Sequence, residues 1–152
     1  MIFRQFLHQD PGGASYLLGC GGHAMCAVVD PVEEIEPYLR AAQDTRMAIR
    51  YVFDTHVHAD HLSGGRRLAE RAGATYLLHE SVAGSPGAGV TNGQQIEMGN
   101  VVVEVLHTPG HTPEHISLLV TDKTRGPEPW MILTGHTLMV GDMGRTELAS
   151  RA

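Results

Sequence analysis

The sequence predicts an α/β fold built around a metal site. Three observations point there. Short apolar runs recur along the chain, each bounded by Gly, Pro, Asn or Asp clusters. Segments of helical pattern lie between and after those runs. Histidines gather just past the ends of apolar runs, where loops from separate strands can bring side chains to one point.

Taken in order, Phe3–Leu7, Ser15–Leu18 and Cys26–Val29 read as short strands, parted by Pro11-Gly12-Gly13 and by the turn from Gly19 to Gly22. Asp30-Pro31 ends the third. A helix starts near Glu36-Pro37, because proline is tolerated only in the first turn, and runs to Gln43 with Tyr38, Leu39, Ala41 and Ala42 on its apolar face. Met47–Asp54 is the next strand. Ser63 is placed to cap a helix over Gly64 to Ala72, with Gly73 closing it. Thr75–His79 reads as a strand and Glu80–Gly93, rich in Gly, Ser and Pro, as a surface loop. Val101–Leu106, Ser117–Thr121 and Trp130–Leu133 are the remaining strands. Met131, Met139 and Met143 read as packing residues.

The segment Thr55-His56-Val57-His58-Ala59-Asp60-His61 sets three imidazoles and a carboxylate within six residues. Packing and solubility require no such cluster, and a cation does. In an extended segment His56 and His58 point the same way and reach one ion, while Asp60 and His61, at the turn into the helix, face a neighbouring position. His111, on the sharp Pro109-Gly110 turn, supplies a third ligand from another strand. His136, in Leu133-Thr134-Gly135-His136-Thr137-Leu138, is a further candidate. Asp54 reads as an acceptor that orients the ligand loop, and His115, His107, His79, His23 and His8 as structural or surface groups. Cys20 and Cys26 flank His23, which admits a small metal site, but thiols beside a Gly-rich turn are the plainer reading.

These motifs resemble those of the metallo-β-lactamase superfamily. Residues 55–61 match its HxHxDH motif, Thr108-Pro109-Gly110-His111-Thr112 its second ligand motif, and residues 133–138 its third, usually written TGDTL. His56-Val57-His58-Ala59-Asp60-His61-Leu62-Ser63-Gly64-Gly65 is similar to the persulfide dioxygenase and glyoxalase II branch. Gly141-Asp142-Met143-Gly144-Arg145-Thr146-Glu147-Leu148 is similar to persulfide dioxygenase-like members, including those joined to rhodanese domains. The resemblance implies an αββα sandwich. In the hydrolase branch it implies His56, His58 and His111 as one metal site, with Asp60 and His61 in a second. In the dioxygenase branch it implies one iron on the equivalents of His56, His111 and the carboxylate of the third motif, a position that His136 takes in this chain, with His58, Asp60 and His61 as surrounding hydrogen-bond partners. Arg145 matches an arginine near the thiol substrate, whose guanidinium can pair with a glutathione carboxylate.

Two departures qualify the resemblance. His136 stands where the family pattern has a bridging aspartate; without that anion a single metal is favoured, on His56, His111 and His136, or on His56, His58 and His111 if His136 does not ligate. Asp142 is a weaker substitute carboxylate. The chain also stops at Ala152, where members of the superfamily continue and hydrolases take a last histidine, so the C-terminal side of the sandwich is expected to be truncated or supplied by another chain.

The expected function is oxidation of glutathione persulfide or a similar thiol persulfide at one divalent metal, Fe(II) before Zn. Zinc-dependent thioester hydrolysis of the glyoxalase II type is the alternative, and an inactive metal-binding fragment or partner domain a third. In either enzyme Asp60 and His61 are the candidate catalytic residues. A net charge of −6 without a basic run argues against nucleic acid, and no apolar stretch reaches the ~18 residues of a membrane span. The N-terminus lacks a signal-peptide pattern. One domain over residues 1–152, a cytoplasmic location, and a homo-oligomer or a rhodanese-like partner complete the expectations.

Overall fold

The computed structural model describes residues 1–10, 12–82, 84 and 87–147. Two sheets stack face to face, and two helices cover the outer face of the first. The first sheet has the order β1-β2-β3-β4-β5-β6, built from Ile2–Gln9, Gly12–Cys20, Met25–Val29, Ala48–Phe53, Thr75–His79 and Ala88–Val90. Strands β1, β2 and β3 pair antiparallel, and β3 to β6 pair parallel. The second sheet, order β10-β9-β8-β7, is antiparallel. It comprises β7 (Gln95–Met98), β8 (Val101–His107), β9 (Ile116–Asp122) and β10 (Met131–Leu133). A small hairpin follows, β11 (Leu138–Met139) and β12 (Asp142–Met143).

The apolar runs of β2, β3 and β4 are continuous because both faces of these strands are buried. Leu18, Ala27, Val29 and Phe53 face the second sheet and meet Val103, Val105, Ile116 and Leu118. Leu17, Cys26, Val28 and Val52 point the other way, onto α1 (Glu36–Asp44) and α2 (Gly65–Ala72), meeting Tyr38, Ala41, Leu68 and Ala69. The layers are therefore helix, sheet, sheet; among the described residues no helix packs on the outer face of the second sheet.

Both helices match their expected spans to within one residue, with Pro37 in the first turn of α1 and Gly73 closing α2 at φ 66°. Ser63 sits one residue before the N-cap Gly64, and its hydroxyl accepts the Gly65 N–H at 2.9 Å. The expected loop Glu80–Gly93 contains β6, and β7, β11 and β12 were not foreseen. Met139 and Met143 do not pack; they are exposed on the β11–β12 hairpin, whereas Met131 packs against the inter-sheet core. Cys20 and Cys26 lie on opposite faces of the first sheet, so they do not converge with His23; Cys20 Sγ alone lies 3.2 Å from His23 Nδ1. No helix among the described residues is long and apolar enough to cross a membrane.

Candidate metal centre

Every candidate ligand sits at one edge of the sandwich. The motif loop leaves β4 at its C-terminal end, beside the ends of β3 and β5. His111 and His115 come from the β8–β9 connection, and His136 from a 3-10 turn after β10, Gly135–Thr137. The two sheets are tied together at this edge, where Ile116 N–H donates to Thr55 C=O at 2.8 Å.

Asp30, at the end of β3, organises the motif from below. Its φ of 49° is left-handed, a conformation that aspartate tolerates better than most residues and that turns the chain sharply at the strand end. Asp30 Oδ1 accepts the Thr55 N–H at 2.7 Å and lies 3.2 Å from His58 Nε2, and Oδ2 accepts the Thr55 hydroxyl at 2.9 Å. Thr55 Oγ1, having donated to Asp30, is left to accept from His56 Nδ1 at 2.9 Å. The carboxylate thus sets two tautomers: His56 presents the lone pair of Nε2, and His58 that of Nδ1. Burial alone would raise the Asp30 pKa, but the hydrogen bond and charge of His58 hold it below the ordinary range. Burial likewise works against a charged His58, and Asp30 overcomes it, raising that imidazole.

Asp54 closes the loop at its root. Its Oδ2 accepts the hydroxyls of Ser63 at 2.5 Å and Tyr76 at 2.6 Å, joining the start of the motif loop to its end and to β5. Burial, then the nearby Asp30 charge, pushes Asp54 up to about 6. Glu114 fixes the outer part of the loop by accepting the Val57 N–H at 2.9 Å.

Four imidazoles meet above this base. Ligand atoms of His56, His58 and His136 all lie within 4.8 Å of one another, and His136 Nδ1 is 3.1 Å from His56 Nε2. His111 joins less tightly, with its ring centroid 5.1 Å from those of both His56 and His136. His58, Asp60 and His61 form an adjoining group of the same tightness, and Asp60 Oδ1 is 2.9 Å from His61 Nδ1. His58 Nδ1 and His61 Nε2 are buried without a hydrogen-bond partner. Buried nitrogen lone pairs converging without donors are expensive unless a cation receives them, so the residues fit a metal ion. Burial, then the charge of His58, pushes His56 down to about 3; His136 is lowered chiefly by burial. Both therefore stay neutral, as ligands must.

His115 backs the cluster. It is fully buried, stacks on His56 with centroids 5.1 Å apart, and places Nδ1 3.0 Å from Thr108 Oγ1 and 3.1 Å from Thr137 Oγ1. Burial pushes it down to about 4. His79 and His107 stack at 4.0 Å away from the cluster, and His107 Nε2 donates to Pro113 C=O, bracing the His111 loop. Asp142 is exposed, belongs to no ligating group among the described residues, and accepts its neighbour Met143 N–H. The Arg145 side chain is exposed; its carbonyl lies 3.4 Å from His111 Nδ1. Asp30, Thr55 and Glu114 are the functional residues that sequence reasoning missed. The one available signal was Asp30-Pro31 at a strand end, which reads simply as a strand terminator.

A family model described as the metallo-beta-lactamase superfamily matches residues 10–149. The chain belongs to that superfamily. It is similar to a hydroxyacylglutathione hydrolase of Synechococcus sp., 33% identical over 123 residues, covering 78% of this chain and 47% of the relative. It is also similar to the human mitochondrial persulfide dioxygenase ETHE1, 27% identical over 151 residues, covering 97% of this chain and 56% of the relative. Among solved structures, ETHE1 from Myxococcus xanthus superposes with a TM-score of 0.87 at 34% identity, covering 98% of this chain and 63% of that one. The chain spans about half the length of the curated relatives it matches. It is thus related to both activities, and identities near 30% do not separate them.

Proposed function

We propose that the protein is a cytoplasmic metalloenzyme that oxidises a small thiol persulfide with O2, using one non-haem iron held within His56, His58, His111 and His136. The observation that carries this reading is His136: an imidazole stands 3.1 Å from His56 Nε2, where the family pattern has a carboxylate able to bridge two cations. Neutral nitrogen donors hold one ion readily but do not offset the repulsion between two. Iron bound there would supply a redox centre through which electrons pass from the persulfide sulfur to O2, chemistry that no side chain performs.

The chain's own residues prepare that site. Asp30 and Thr55 fix the His56 and His58 rings so that each presents one lone pair inward. His115 and the Thr108 and Thr137 hydroxyls keep the His56 ring from turning. Asp60, exposed beside His61, would accept the proton of an entering persulfide.

Zinc-dependent thioester hydrolysis is the second reading, favoured by the similarity to hydroxyacylglutathione hydrolases and by the adjoining His58, Asp60 and His61 group. There Asp60 would orient the attacking water. Anaerobic loading with Fe(II) or Zn, followed by O2 uptake with glutathione persulfide and with the persulfide of N-acetylcysteamine, and by hydrolysis of S-lactoylglutathione and of an acyl thioester of N-acetylcysteamine, separates the two. The expected result is O2 uptake by the iron form. A fully iron-loaded sample that consumes no O2 overturns the dioxygenase, and inactivity in both assays leaves a metal-binding domain that serves a partner. In parallel, His136→Ala should weaken metal binding at least tenfold; unchanged affinity would remove His136 from the ligand set.

A further inference from the structure

The histidine cluster forms the floor of a cavity of about 580 Å³, a volume suited to one small-molecule ligand. Its walls are two hairpins that supply no candidate metal ligand to the cavity. Leu7 and Tyr16 come from β1 and β2, and Leu138, Met139 and Val140 from the β11–β12 hairpin. Leu7 is 75% exposed and Val140 fully so, which leaves apolar side chains facing water on both sides of the metal-binding groups. Among the described residues no lysine or arginine lines the cavity; apart from the imidazoles, its ionisable groups are the acids Asp30 and Asp60 and the Tyr16 phenol. Arg145 is not part of the lining.

We infer that the cavity selects an uncharged, apolar thiol carrier over the dicarboxylate glutathione. The inference rests on the reading of the histidine cluster as the catalytic centre and names the substrate class of that centre. A carboxylate held between the outer walls would lose water and, among the described residues, meet no lysine or arginine to offset that loss, which disfavours it. An alkyl chain would cover Leu7 and Val140 and gain about fourfold in affinity per buried methylene. Gln5 and Tyr16, also in the lining, supply neutral hydrogen-bonding groups that suit an amide or a hydroxyl. The substrate body that fits is thus an alkyl chain carrying an amide, with its sulfur directed to the floor.

Calorimetry with inert thioethers tests this without any turnover. The S-hexyl thioether of N-acetylcysteamine, which is uncharged, is compared with S-hexylglutathione on the zinc-loaded and the metal-free protein. The neutral ligand should bind at least tenfold more tightly to both. Leu7→Asp and Val140→Asp should each weaken it threefold or more, and Val140→Lys should tighten S-hexylglutathione and narrow the gap. All three changes lie at exposed positions, and an unchanged thermal midpoint confirms folding. Equal or tighter binding of S-hexylglutathione, no binding of either thioether, or insensitivity to the three substitutions overturns the inference. Because no O2 is consumed, failure here leaves the dioxygenase reading standing, and failure of O2 uptake leaves this result standing.

Discussion

Asp30 lies beneath the histidine cluster and controls which atoms its rings present. One carboxylate receives the Thr55 N–H, the Thr55 hydroxyl and the His58 ring, and through Thr55 it dictates which nitrogen of His56 faces inward. Asp30→Asn keeps the volume and one acceptor but replaces the other with an N–H donor. That donor opposes the Thr55 hydroxyl or the His58 N–H, so one ring loses its set orientation. Metal affinity should fall by about 10–100-fold, the usual range for a partner that orients a ligand. Competition against a chromophoric chelator measures this, and an affinity equal to that of the parent protein would show that the rings hold themselves. Asp54 is different in kind. It binds Ser63 and Tyr76, not a ligand, so its role is to close the loop on which the ligands ride.

The 3-10 turn after β10 carries the feature that separates this chain from its family pattern, and two glycines let it approach so closely. Gly135 has φ +50°, and a methyl group there would lie 2.6 Å from Thr55 Oγ1 and 2.7 Å from His115 Nε2. A methyl group on Gly144 would lie 2.2 Å from His136 O and 2.9 Å from His111 Cβ. Gly135→Ala therefore combines a strained backbone with overpacking. It should cost about 1–3 kcal/mol, or about 2–4 °C of thermal midpoint per kcal/mol in a chain of this size. A metal-free melt checks this, and an unshifted midpoint would mean that the turn relaxes freely. Such contacts also explain what the sequence conceals. The strands β2 to β5 and both helices were legible because their apolar residues follow the burial that each face imposes. Strand β6 is Ala88-Gly89-Val90 within a Gly-rich stretch, and only its parallel pairing with β5 makes it a strand. Strand β7 alternates Gln95, Ile96, Glu97 and Met98 with the apolar pair buried, a period-2 signal too short to stand out beside Gly99. Within the site, the histidines were legible by residue type. Asp30 was not, because an aspartate before proline has the same appearance whether it ends a strand or carries a hydrogen-bond network.

At the scale of the whole molecule, the two sheets meet at one edge through the Thr55–Ile116 backbone bond, and the imidazoles buried there make folding depend on pH. Burial holds His115 near 4 and His56 near 3, against about 6.5 in an unfolded chain. Below about pH 6.5 the unfolded state takes up protons that these rings refuse, so the metal-free protein loses stability as pH falls, until the folded rings titrate as well. His58 and Asp54 act in the opposite direction, because their folded pKa values are raised and protonation favours the folded state. His115 is the ring to isolate: it is fully buried, its Nε2 has no hydrogen-bond partner, and a proton there would face the Gly135 turn. From the cited values its share of the loss between pH 7.5 and pH 5 is about 1–2 kcal/mol. Urea unfolding of the chelator-treated protein at both pH values should show the loss, and His115→Asn should remove about that share while lowering stability at pH 7.5 through its lost packing. Parallel pH profiles for the parent and His115→Asn would refute the assignment and move the acid sensitivity to His56. Stability recovered by metal at pH 7.5 but not at pH 5 would show that protons on the ligand imidazoles compete with the cation.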